Sequence, residues 1–532
     1  MADEEHFELG SVDYPRRGAM RGRHGCVAAD HPLAAQAGMD VIRRGGVAAD
    51  AAVAMGAVMV VVQPHYSHLG GDLHALAFDG GPAGIASVLA SGPAPRGLDI
   101  DRYRSLGGIP RQGPLSVTVP GVVDGWWKLH HGRGRLPWRV LFEHAIELAA
   151  GGFPASRRLA AALRLGRGMV EPWAPFEDVF GPGFRAGGSV RQPALAQTLA
   201  AIAEAGPAGF YEGDVARAVL ARLNADGAVF TASEWTGPAR LEAPISVPFA
   251  GATVHTQSPP THGFVLAIAL GLFELLRGQE PEAPAPLLQH RAVALAYDVR
   301  ARHGGDPDFT GFDPGRFLEP GQLDLLARGD PGTGAARGGD TTFLLAVDAE
   351  GNAVSHIQSI FAPWGSGVFV PAAGVLMNNR LVGFSLHRDS PNVLAPGKRP
   401  LHTLHSYLVT SAGGALRAVG GAPGGFVQPQ TNLQVLTSLL AGGLDPQDAL
   451  DEPRWCIAGL GPSGLGIHRE RREPDHLGEV FRAAGIPVVP FGERAYEPAW
   501  EGRMGRAYLA SIEGGTVAVA ADLRGEGQAL AW

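Results

Sequence analysis

The sequence predicts a large α/β protein built in layers, with helices on one side and paired strands on the other. Of its 532 residues, 45% are hydrophobic and only 18% are charged, which is enough apolar material for a large buried core. Apolar, Ala-rich helical segments precede Thr341, and segments with a strand pattern follow it. No internal repeat or low-complexity segment indicates another architecture. Length alone is compatible with several domains or with one layered core.

Residues 32–62 predict two Ala-rich helices separated at Gly45 and Gly46, where glycine ends a helix at low cost. Both segments are apolar over most of their surface, so we expect them to be buried or to lie against a sheet. Helical patterns separated by glycine and proline continue over residues 156–224, and residues 263–276 predict a further helix.

A change of pattern occurs at Thr341. Between residues 281 and 339 polar and turn residues accumulate, and the Gly-rich end of that stretch predicts an exposed loop. The following TTFLLAVDAEGNAVSHIQSI combines an apolar run, a turn and an alternating run, which predicts a β-hairpin. Further segments of strand length, and then one helix, are expected at residues 367–377, 404–410, 416–419 and 431–440.

Composition argues against several classes of function. The net charge is -8 and the arginines are scattered, which does not suit a nucleic-acid surface. Cys26 and Cys456 have no metal-ligand spacing and are expected to be buried thiols. The acidic start lacks the apolar stretch of a secretory signal, which favours a cytoplasmic protein. The most apolar run, residues 51–62, is shorter than the roughly 20 residues that span a bilayer, so neither a membrane anchor nor a cofactor is expected.

A flexible Gly/Asp loop meets two threonines at the junction of Asp340 and Thr341. Alone, this pattern would indicate two β-forming residues that start a strand. The surrounding segments, however, resemble the γ-glutamyltransferase family in order and spacing over nearly the whole chain. The segments similar to its small subunit are D-T-T-F-L-L-A-V-D-x-E-G-N-A-V-S, G-S-G-V-F-V-P-x-x-G-V-L-M-N-N, A-P-G-K-R-P-L-H-T-L and G-G-A-P-G-G. Those similar to its large subunit are G-G-V-A-A-D-A-A-V-A, H-L-G-G-D, V-P-G-V-V-D-G-W, F-Y-E-G, S-P-P-T-H-G and A-Y-D-V-R-A-R-H-G-G-D-P-D-F.

The resemblance implies a four-layer αββα sandwich of the N-terminal nucleophile (Ntn) hydrolase type. It also implies a precursor that cleaves itself between Asp340 and Thr341. The products would be a large subunit of residues 1–340 and a small subunit of residues 341–532, which together form one domain. A homodimer of such heterodimers is compatible with this organisation.

The resemblance makes Thr341 the catalytic nucleophile. A threonine hydroxyl needs a base within hydrogen-bond reach, and the α-amine freed by cleavage, with an ordinary pKa of roughly 8, can serve as that base. By position, the backbone N–H groups of Gly424 and Gly425 would form the oxyanion hole, although a plain Pro-Gly turn is the alternative. Thr342 falls beside the nucleophile. Ser359 corresponds to a hydroxyl residue that contacts the nucleophile in the family; a strand serine that faces water is the alternative.

The chain departs from the family where a γ-glutamyl head group would bind. Burial of an α-carboxylate and an α-ammonium requires opposite charges in the pocket. The family's arginine falls at Ser91 and its carboxylate at Gly383, so both charged groups are missing. The tandem serines correspond to His402 and Thr403, and a usual asparagine corresponds to Phe361. We therefore expect glutathione to be a poor substrate.

The remaining pocket residues suggest a different acyl group. Residues 385–398 are too few for the family's lid, which predicts a more open pocket. We expect His402 to line the acyl pocket as a donor to an anionic substrate, and Arg399 either to add charge or to form a structural ion pair. No metal is expected, because the histidines lack cysteine or carboxylate partners at ligand spacing. The histidines considered are His402 with His405, and His65 with His68 and His74.

The function predicted from the sequence is an autoprocessed amidohydrolase or acyltransferase that acts on a small amide through an acyl-Thr341 intermediate. The pattern is similar to a divergent branch that includes oxamate amidohydrolase-like proteins, with cephalosporin acylases and carbon-carbon bond hydrolases as more distant relatives. Three alternatives remain open: a genuine γ-glutamyltransferase or glutathione hydrolase, a carbon-carbon bond hydrolase of secondary metabolism, and an uncleaved, inactive scaffold.

Overall fold

The computed structural model describes residues 17–80, 84–171, 173–180, 185–329, 341–457, 466–470, 475–489 and 504–532. In chain order its strands are β1 (Met20–Gly22), β2 (Gly25–Ala29), β3 (Asp72–Phe78), β4 (Ile85–Ala90), β5 (Phe153–Pro154), β6 (Ser189–Val190), β7 (Arg240–Glu242), β8 (Ile245–Phe249), β9 (Ala252–Thr256), β10 (Thr342–Asp348), β11 (Ala353–Ser359), β12 (Phe369–Val370), β13 (Val375–Leu376), β14 (Tyr407–Ser411), β15 (Leu416–Gly421), β16 (Trp455–Ile457), β17 (Ile467–Arg469), β18 (Tyr508–Glu513), β19 (Thr516–Ala521) and β20 (Gln528–Ala531).

The α-helices are α1 (Pro32–Arg43), α2 (Ala48–Val62), α3 (Ile100–Ser105), α4 (Val122–His130), α5 (Glu143–Gly151), α6 (Arg157–Gly166), α7 (Trp173–Phe180), α8 (Pro193–Ala205), α9 (Ala208–Tyr211), α10 (Gly213–Ala225), α11 (Gly263–Gln279), α12 (Ala285–His303), α13 (Pro307–Thr310), α14 (Pro320–Ala327), α15 (Gln428–Leu436), α16 (Pro446–Asp451) and α17 (His476–Ala483). Short 3₁₀ turns cover Pro114–Ser116, Trp138–Phe142, Pro314–Leu318, Arg380–Gly383 and Gly425–Val427, and a π-helical turn covers Thr437–Ala441.

Two seven-stranded sheets form the centre of the described structure. The first sheet has the order β20-β2-β10-β11-β3-β4-β7, and the second has the order β1-β19-β18-β15-β14-β9-β8. Neighbouring strands are antiparallel throughout both sheets. Each sheet combines strands that precede residue 340 with strands that follow it. The segments on the two sides of the Asp340–Thr341 bond therefore share one folding unit.

Three hydrophobic clusters separate the layers. The first cluster lies between the two sheets and includes Phe343 and Leu345 of the first sheet and Val419 of the second. The second cluster packs α1, α2 and their neighbouring helices on the outer face of the first sheet. The third packs α11, α12 and α15 on the outer face of the second sheet. The order helix, sheet, sheet, helix confirms the four-layer αββα sandwich.

The Ala-rich segment forms the two predicted helices, α1 and α2, which separate at the expected glycines. All fifteen residues of α2 are buried, as the nearly uniform apolar sequence predicts. At the start of α2, the side-chain carboxylate of Asp50 accepts the N–H of Val47 at 2.9 Å. The same carboxylate also accepts the backbone N–H groups of Arg135 and Leu136. A buried carboxylate therefore fixes the first turn of a helix that packs against β10.

Some sequence predictions needed correction. The stretch that begins at residue 281 contains the nineteen-residue helix α12, which the polar and turn residues of that stretch did not reveal. Residues 367–377 form a short hairpin of β12 and β13 rather than one strand. The predicted exposed loop before Thr341, including Asp340, lies outside the described residues.

The structure also bears on the two cysteines and on the possibility of membrane-spanning helices. Both cysteines are buried, as expected. Burial raises the pKa of Cys26 to about 12, so this thiol stays protonated. Across the described ranges, no helix is both long and apolar enough to cross a bilayer.

Candidate active site

Thr341 lies at the edge of the inter-sheet core, immediately before β10. Thr342 pairs with Gln358, and Ser359 pairs with Asp72, so the register carried back by one residue places Thr341 beside Ser359. Directly opposed residues of antiparallel strands share a face. Thr341, Ser359 and Asp72 therefore form a row across β10, β11 and β3. We call these three residues, two with hydroxyl groups and one with a carboxylate, the hydroxyl row.

The face of this row is the one that points between the sheets. Thr341 is two residues before Phe343 and four before Leu345, and both of these belong to the inter-sheet cluster. Thr341 is 1% exposed, and Ser359 and Asp72 are fully buried. The candidate nucleophile is thus enclosed by protein rather than placed on the surface, which suits chemistry that must exclude bulk water.

Thr342 occupies the opposite face of β10. Its neighbour Leu344 belongs to the cluster under α1 and α2, and its own hydroxyl donates to the carbonyl oxygen of Gln358 at 3.1 Å. Alternation along a strand therefore turns the side chain of Thr342 away from the hydroxyl row. Its hydrogen bond ties the start of β10 to β11, which is a structural contribution.

A buried ion pair holds the backbone of Thr341. The Arg506 guanidinium donates to the carbonyl oxygen of Thr341 at 3.0 Å and to both carboxylate oxygens of Asp30 at 3.1 Å. The hydroxyl of Tyr508 donates to the same carboxylate at 2.6 Å. These three residues were not predicted from the sequence, because each stands alone in it without a motif around it. Their contacts fix the position from which the Thr341 side chain projects.

Ser359 is held by a strained turn. Its hydroxyl oxygen accepts the backbone N–H of Phe361 at 2.8 Å, and its complete burial excludes the alternative of a strand serine that faces water. Phe361 has a φ of 80°, a left-handed conformation that is unusual for a bulky side chain. Asparagine tolerates this conformation more easily, so the phenylalanine at this position carries backbone strain. Its ring packs at 4.5 Å from the guanidinium of Arg380.

Gly424 and Gly425 form a turn that is joined to Thr341 through the side chain of Gln428. Both have positive φ, 141° and 58°, which glycine adopts without steric cost. The side-chain amide of Gln428 lies 3.5 Å from the hydroxyl oxygen of Thr341. In the orientation that satisfies both of its ends, this amide accepts the N–H of Gly425 at 3.2 Å and donates to the carbonyl oxygen of Thr403 at 2.9 Å. The Gln428 amide therefore links the N–H of Gly425 to the neighbourhood of the Thr341 hydroxyl.

The structure places Ser91 and Gly383 in structural contacts. The carbonyl oxygen of Ser91 accepts from Arg399 at 3.2 Å, and that of Gly383 accepts from Asn392 at 2.7 Å. Serine and glycine carry no charge, so neither position supplies the arginine or the carboxylate that the family resemblance led us to look for there. Asn392 also fastens the loop that follows Gly383, because its backbone carbonyl accepts the N–H of Ser385 at 2.9 Å.

Arg399 makes the ion pair that sequence analysis gave as one of its two interpretations. Its side chain is 17% exposed and lies 3.4 Å from the carboxylate of Asp308. Its backbone N–H donates to Asp306 at 2.8 Å. These contacts direct Arg399 toward α13 and stabilise the loop that leads to His402.

His402 is fully buried, and its Nε2 lies 3.2 Å from Asp72. Burial, assisted by the nearby Arg380, lowers the pKa of His402 well below its ordinary value, so the ring is neutral at physiological pH. Its Nε2–H donates to Asp72, an endpoint of the hydroxyl row. His405 contacts the carbonyl oxygen of Thr403 and the amide of Asn432 at 3.2 and 3.1 Å. Both histidines of the candidate metal pair are thus engaged with protein groups.

One further charged residue, missed by sequence analysis, reaches the row. Arg380 is fully buried, and its Nε donates to Asp72 at 2.9 Å. The signal for it was visible in NNRLVGFS, where an arginine follows the two asparagines, three residues before the Gly383 substitution. Arg380 and His402 thus converge on one carboxylate at the end of the hydroxyl row opposite Thr341.

The four-layer fold and the buried threonine at the start of a central strand define an enzyme of the Ntn hydrolase type. The family model of γ-glutamyltranspeptidase matches residues 34–532. The chain is 32% identical to the glutathione hydrolase-like YwrD proenzyme of Bacillus subtilis, over 95% of this chain and 98% of that one. It is 34% identical to the oxamate amidohydrolase proenzyme of Klebsiella pneumoniae, over 82% and 85%.

A solved structure of another protein has the same fold. Cephalosporin acylase from Bacillus halodurans superposes with a TM-score of 0.88 at 29% identity, over 99% of both chains. The chain therefore belongs to the γ-glutamyltranspeptidase family of hydrolases and transferases. The family expected from the sequence is confirmed.

Proposed function

We propose that the chain is a proenzyme that cuts itself between Asp340 and Thr341 and then hydrolyses an amide through an acyl-Thr341 intermediate. The observation that carries the proposal is the position of the Thr341 hydroxyl at the end of the buried row, next to the Gly424–Gly425 turn. The naming of two relatives as proenzymes supports processing of the same kind. The products are the large and small subunits of residues 1–340 and 341–532, which share both sheets.

Processing follows from the same hydroxyl. The Thr341 oxygen attacks the carbonyl carbon of Asp340, and the peptide nitrogen of Thr341 leaves as the α-amine while an ester forms. Water then cleaves the ester, which releases the Asp340 carboxylate and returns a proton to the Thr341 hydroxyl. Arg506 positions the threonine in this step, because it holds the carbonyl group of the same residue.

Turnover uses the new α-amine as base. The Thr341 hydroxyl gives its proton to this amine and attacks the substrate carbonyl, and the negative oxygen is stabilised by the N–H groups of Gly424 and Gly425. The leaving amine takes the proton, and the carbon-nitrogen bond breaks. Water then hydrolyses the acyl ester and yields the free acid. An amine in place of water gives acyl transfer instead.

The substrate we propose is a small amide other than glutathione. Positions 91 and 383, which hold the charged clamp of the family, carry serine and glycine here, and both are engaged in structural contacts. Each lost hydrogen bond to a charged group costs on the order of 1.5–3 kcal/mol of recognition. The names of two relatives, oxamate amidohydrolase and cephalosporin acylase, support an amide substrate other than glutathione.

The experiment for this proposal is mass spectrometry of the processed protein after exposure to an amide library. An acyl adduct on the peptide that begins with Thr341 identifies the acyl group directly. A chromogenic γ-glutamyl anilide belongs in the library, since its rapid turnover would instead support genuine γ-glutamyl transfer. A chain that remains whole and forms no adduct would support the scaffold alternative, and turnover of carbon-carbon substrates alone would support that class of hydrolase.

A further inference from the structure

The side-chain amide of Gln428, the first residue of α15, lies between the nucleophile and the glycine turn. Gln428 is fully buried. One atom of its amide lies 3.5 Å from the hydroxyl oxygen of Thr341 and 3.2 Å from the backbone nitrogen of Gly425. This atom is the amide oxygen, because it accepts the N–H of Gly425. We call this arrangement the resting orientation.

The N–H of Gly425 cannot serve two oxygens at the same point. In the proposed function, this N–H stabilises the negative oxygen that forms on the substrate carbonyl. In the resting orientation it is engaged with the Gln428 oxygen, 3.5 Å from the attacking hydroxyl. If Gly425 is an oxyanion donor, the Gln428 oxygen must therefore leave its position when the substrate carbonyl arrives.

The surroundings of Gln428 provide a partner for a turned amide. A half-turn about the last side-chain bond exchanges the amide oxygen and nitrogen, and such terminal bonds have two broad, roughly equivalent orientations. After the exchange, the oxygen lies 3.4 Å from the backbone nitrogen of His405, whose N–H can donate to it. The nitrogen Nε2 then lies 3.5 Å from the hydroxyl oxygen of Thr341. Its two N–H bonds are donors beside the glycine turn.

The turn also leaves the carbonyl oxygen of Thr403 with a donor. In the resting orientation this oxygen accepts from Gln428 at 2.9 Å. It also lies 3.2 Å from Nδ1 of His405, while Nε2 of that ring lies 3.1 Å from the side-chain nitrogen of Asn432. Burial lowers the pKa of His405 to about 4, against the hydrogen bond to Thr403, so the ring is neutral. Because Asn432 donates to Nε2, the proton is on Nδ1 and Thr403 keeps a hydrogen bond in both orientations.

We propose that Gln428 is a catalytic residue whose amide turns to donate from Nε2 to the negative oxygen of the tetrahedral intermediate. This role rests on the proposed function and adds a side-chain donor to its oxyanion hole. As the Thr341 oxygen bonds to the carbonyl carbon, the hydroxyl proton passes to the α-amine and the electron pair of the C=O bond moves to the carbonyl oxygen. That oxygen then accepts from Gly425 and from Gln428.

The developing charge supplies the preference for the turned amide. The resting orientation makes the shorter contacts, 3.2 and 2.9 Å against 3.4 Å, so it is favoured without substrate. A hydrogen bond to an ionised acceptor is roughly twice as strong as one between neutral groups, which favours Nε2 once the oxygen is negative. The N-terminus of α15, where Gln428 lies, adds a field of the same sign.

The test is steady-state kinetics of substitutions at residue 428. The substrates are the p-nitroanilides of acetic, butanoic and phenylacetic acids and the γ-glutamyl anilide, and the one that the wild type hydrolyses fastest is used throughout. Gln428→Met has a similar length but no N–H, and should lower kcat by about 100-fold. KM should stay the same or fall, because the resting hydrogen bond no longer competes with the substrate carbonyl.

Gln428→Glu gives a pH readout that a merely structural role would not produce. At neutral pH the introduced carboxylate repels the negative oxygen, so kcat should be at least as low as in Gln428→Met. The protonated carboxyl can donate a hydrogen bond. The ratio of its kcat to that of the wild type at the same pH should therefore rise as the pH falls.

Gln322 supplies the matched controls, because it is an exposed glutamine on α14. Gln322→Met and Gln322→Glu should keep the wild-type kcat and pH profile. The extent of cleavage between Asp340 and Thr341 is measured for every variant, and kcat is expressed per cleaved molecule. If Gln428→Met does not cleave itself, the pH dependence of Gln428→Glu decides alone.

The outcomes separate the role of Gln428 from the proposed function. A wild-type kcat in Gln428→Met, even with a lower KM, would mean that Gln428 only occupies the resting site, and the donor role would be wrong. A kcat ratio for Gln428→Glu that does not change with pH would also contradict it. In both cases the proposed function stands, whereas a wild type that is not cleaved and hydrolyses none of the anilides would overturn the proposed function itself.

Discussion

The hydroxyl of Tyr508 supplies a measurable part of the stability around Thr341. It is completely buried and donates to Asp30 at 2.6 Å, while the same carboxylate also accepts two hydrogen bonds from Arg506. A buried hydrogen bond to a charged acceptor contributes about 1.5–3 kcal/mol. Tyr508→Phe should therefore lower the free energy of unfolding by about 2 kcal/mol, because no water replaces the lost donor.

Tyr407 provides a matched control on the other side of β15. Tyr407 and Tyr508 pair with Gly420 and Gly421, respectively, and both rings are fully buried. The hydroxyl of Tyr407 has no hydrogen-bond partner among the described residues, so Tyr407→Phe should be neutral or slightly stabilising.

The assay is urea unfolding of the uncut Thr341→Ala precursor, followed by tryptophan fluorescence, so that a single chain is measured. Tyr508→Phe should shift the midpoint to lower urea with little change in slope, and Tyr407→Phe should not. In the cleavable background, Tyr508→Phe should also slow processing, because the Asp30–Arg506 pair that holds Thr341 becomes looser. Equal losses of stability in the two variants would refute the reasoning.

Two further predictions concern the glycine turn and a buried carboxylate. Gly424→Ala should lower kcat by about 100-fold or more, because it would displace a proposed oxyanion donor. Residue 424 has a φ of 141°, and the new Cβ would lie 2.8 Å from a methyl carbon of Val427. Steady-state kinetics of the processed variant tests this prediction, and a near-normal kcat would contradict it. Burial opposes ionisation of Asp522, but the charges of Arg454 and Arg524 outweigh burial and lower the pKa of Asp522 to about 2. The ionised Asp522 therefore stabilises the fold fully at pH values above the ordinary carboxyl pKa near 3.8. This stabilisation is lost as the pH falls through 2. Acid unfolding should therefore show a loss of about 2 kcal/mol over this range, and Asp522→Asn, although less stable at neutral pH, should lack that component of the pH dependence.

The fold was largely predictable because its signals are local. The two Ala-rich helices, the hairpin after Thr341 and helix α11 each follow from a few consecutive residues with the correct period. Helix α12 was missed because Gln289 and His290 are polar yet buried, which conceals the apolar face in the sequence. Pro371 and Gly374, which turn β12 into β13, were visible and would have divided that segment correctly.

The site was predictable only where motifs are contiguous. Thr341 and the Gly424–Gly425 turn could be proposed as site residues from the segments around them. Asp30 and Arg506 approach Thr341 from distant parts of the chain, and only the pairing of β2, β10 and β18 with their neighbours brings them together. His402 was expected to face an anionic substrate, whereas the structure shows its donor directed to Asp72, with Arg380 as the cation beside it.

The most direct measurement is N-terminal sequencing and intact mass of the purified protein, together with its amide-hydrolase activity. We expect two polypeptides, one of which begins at Thr341, and activity that increases in step with cleavage. Thr341→Ala should give one inactive chain, and Thr342→Ala, whose side chain lies on the opposite face, should still be cut. Full turnover by protein in which the bond between residues 340 and 341 is intact would contradict the central claim.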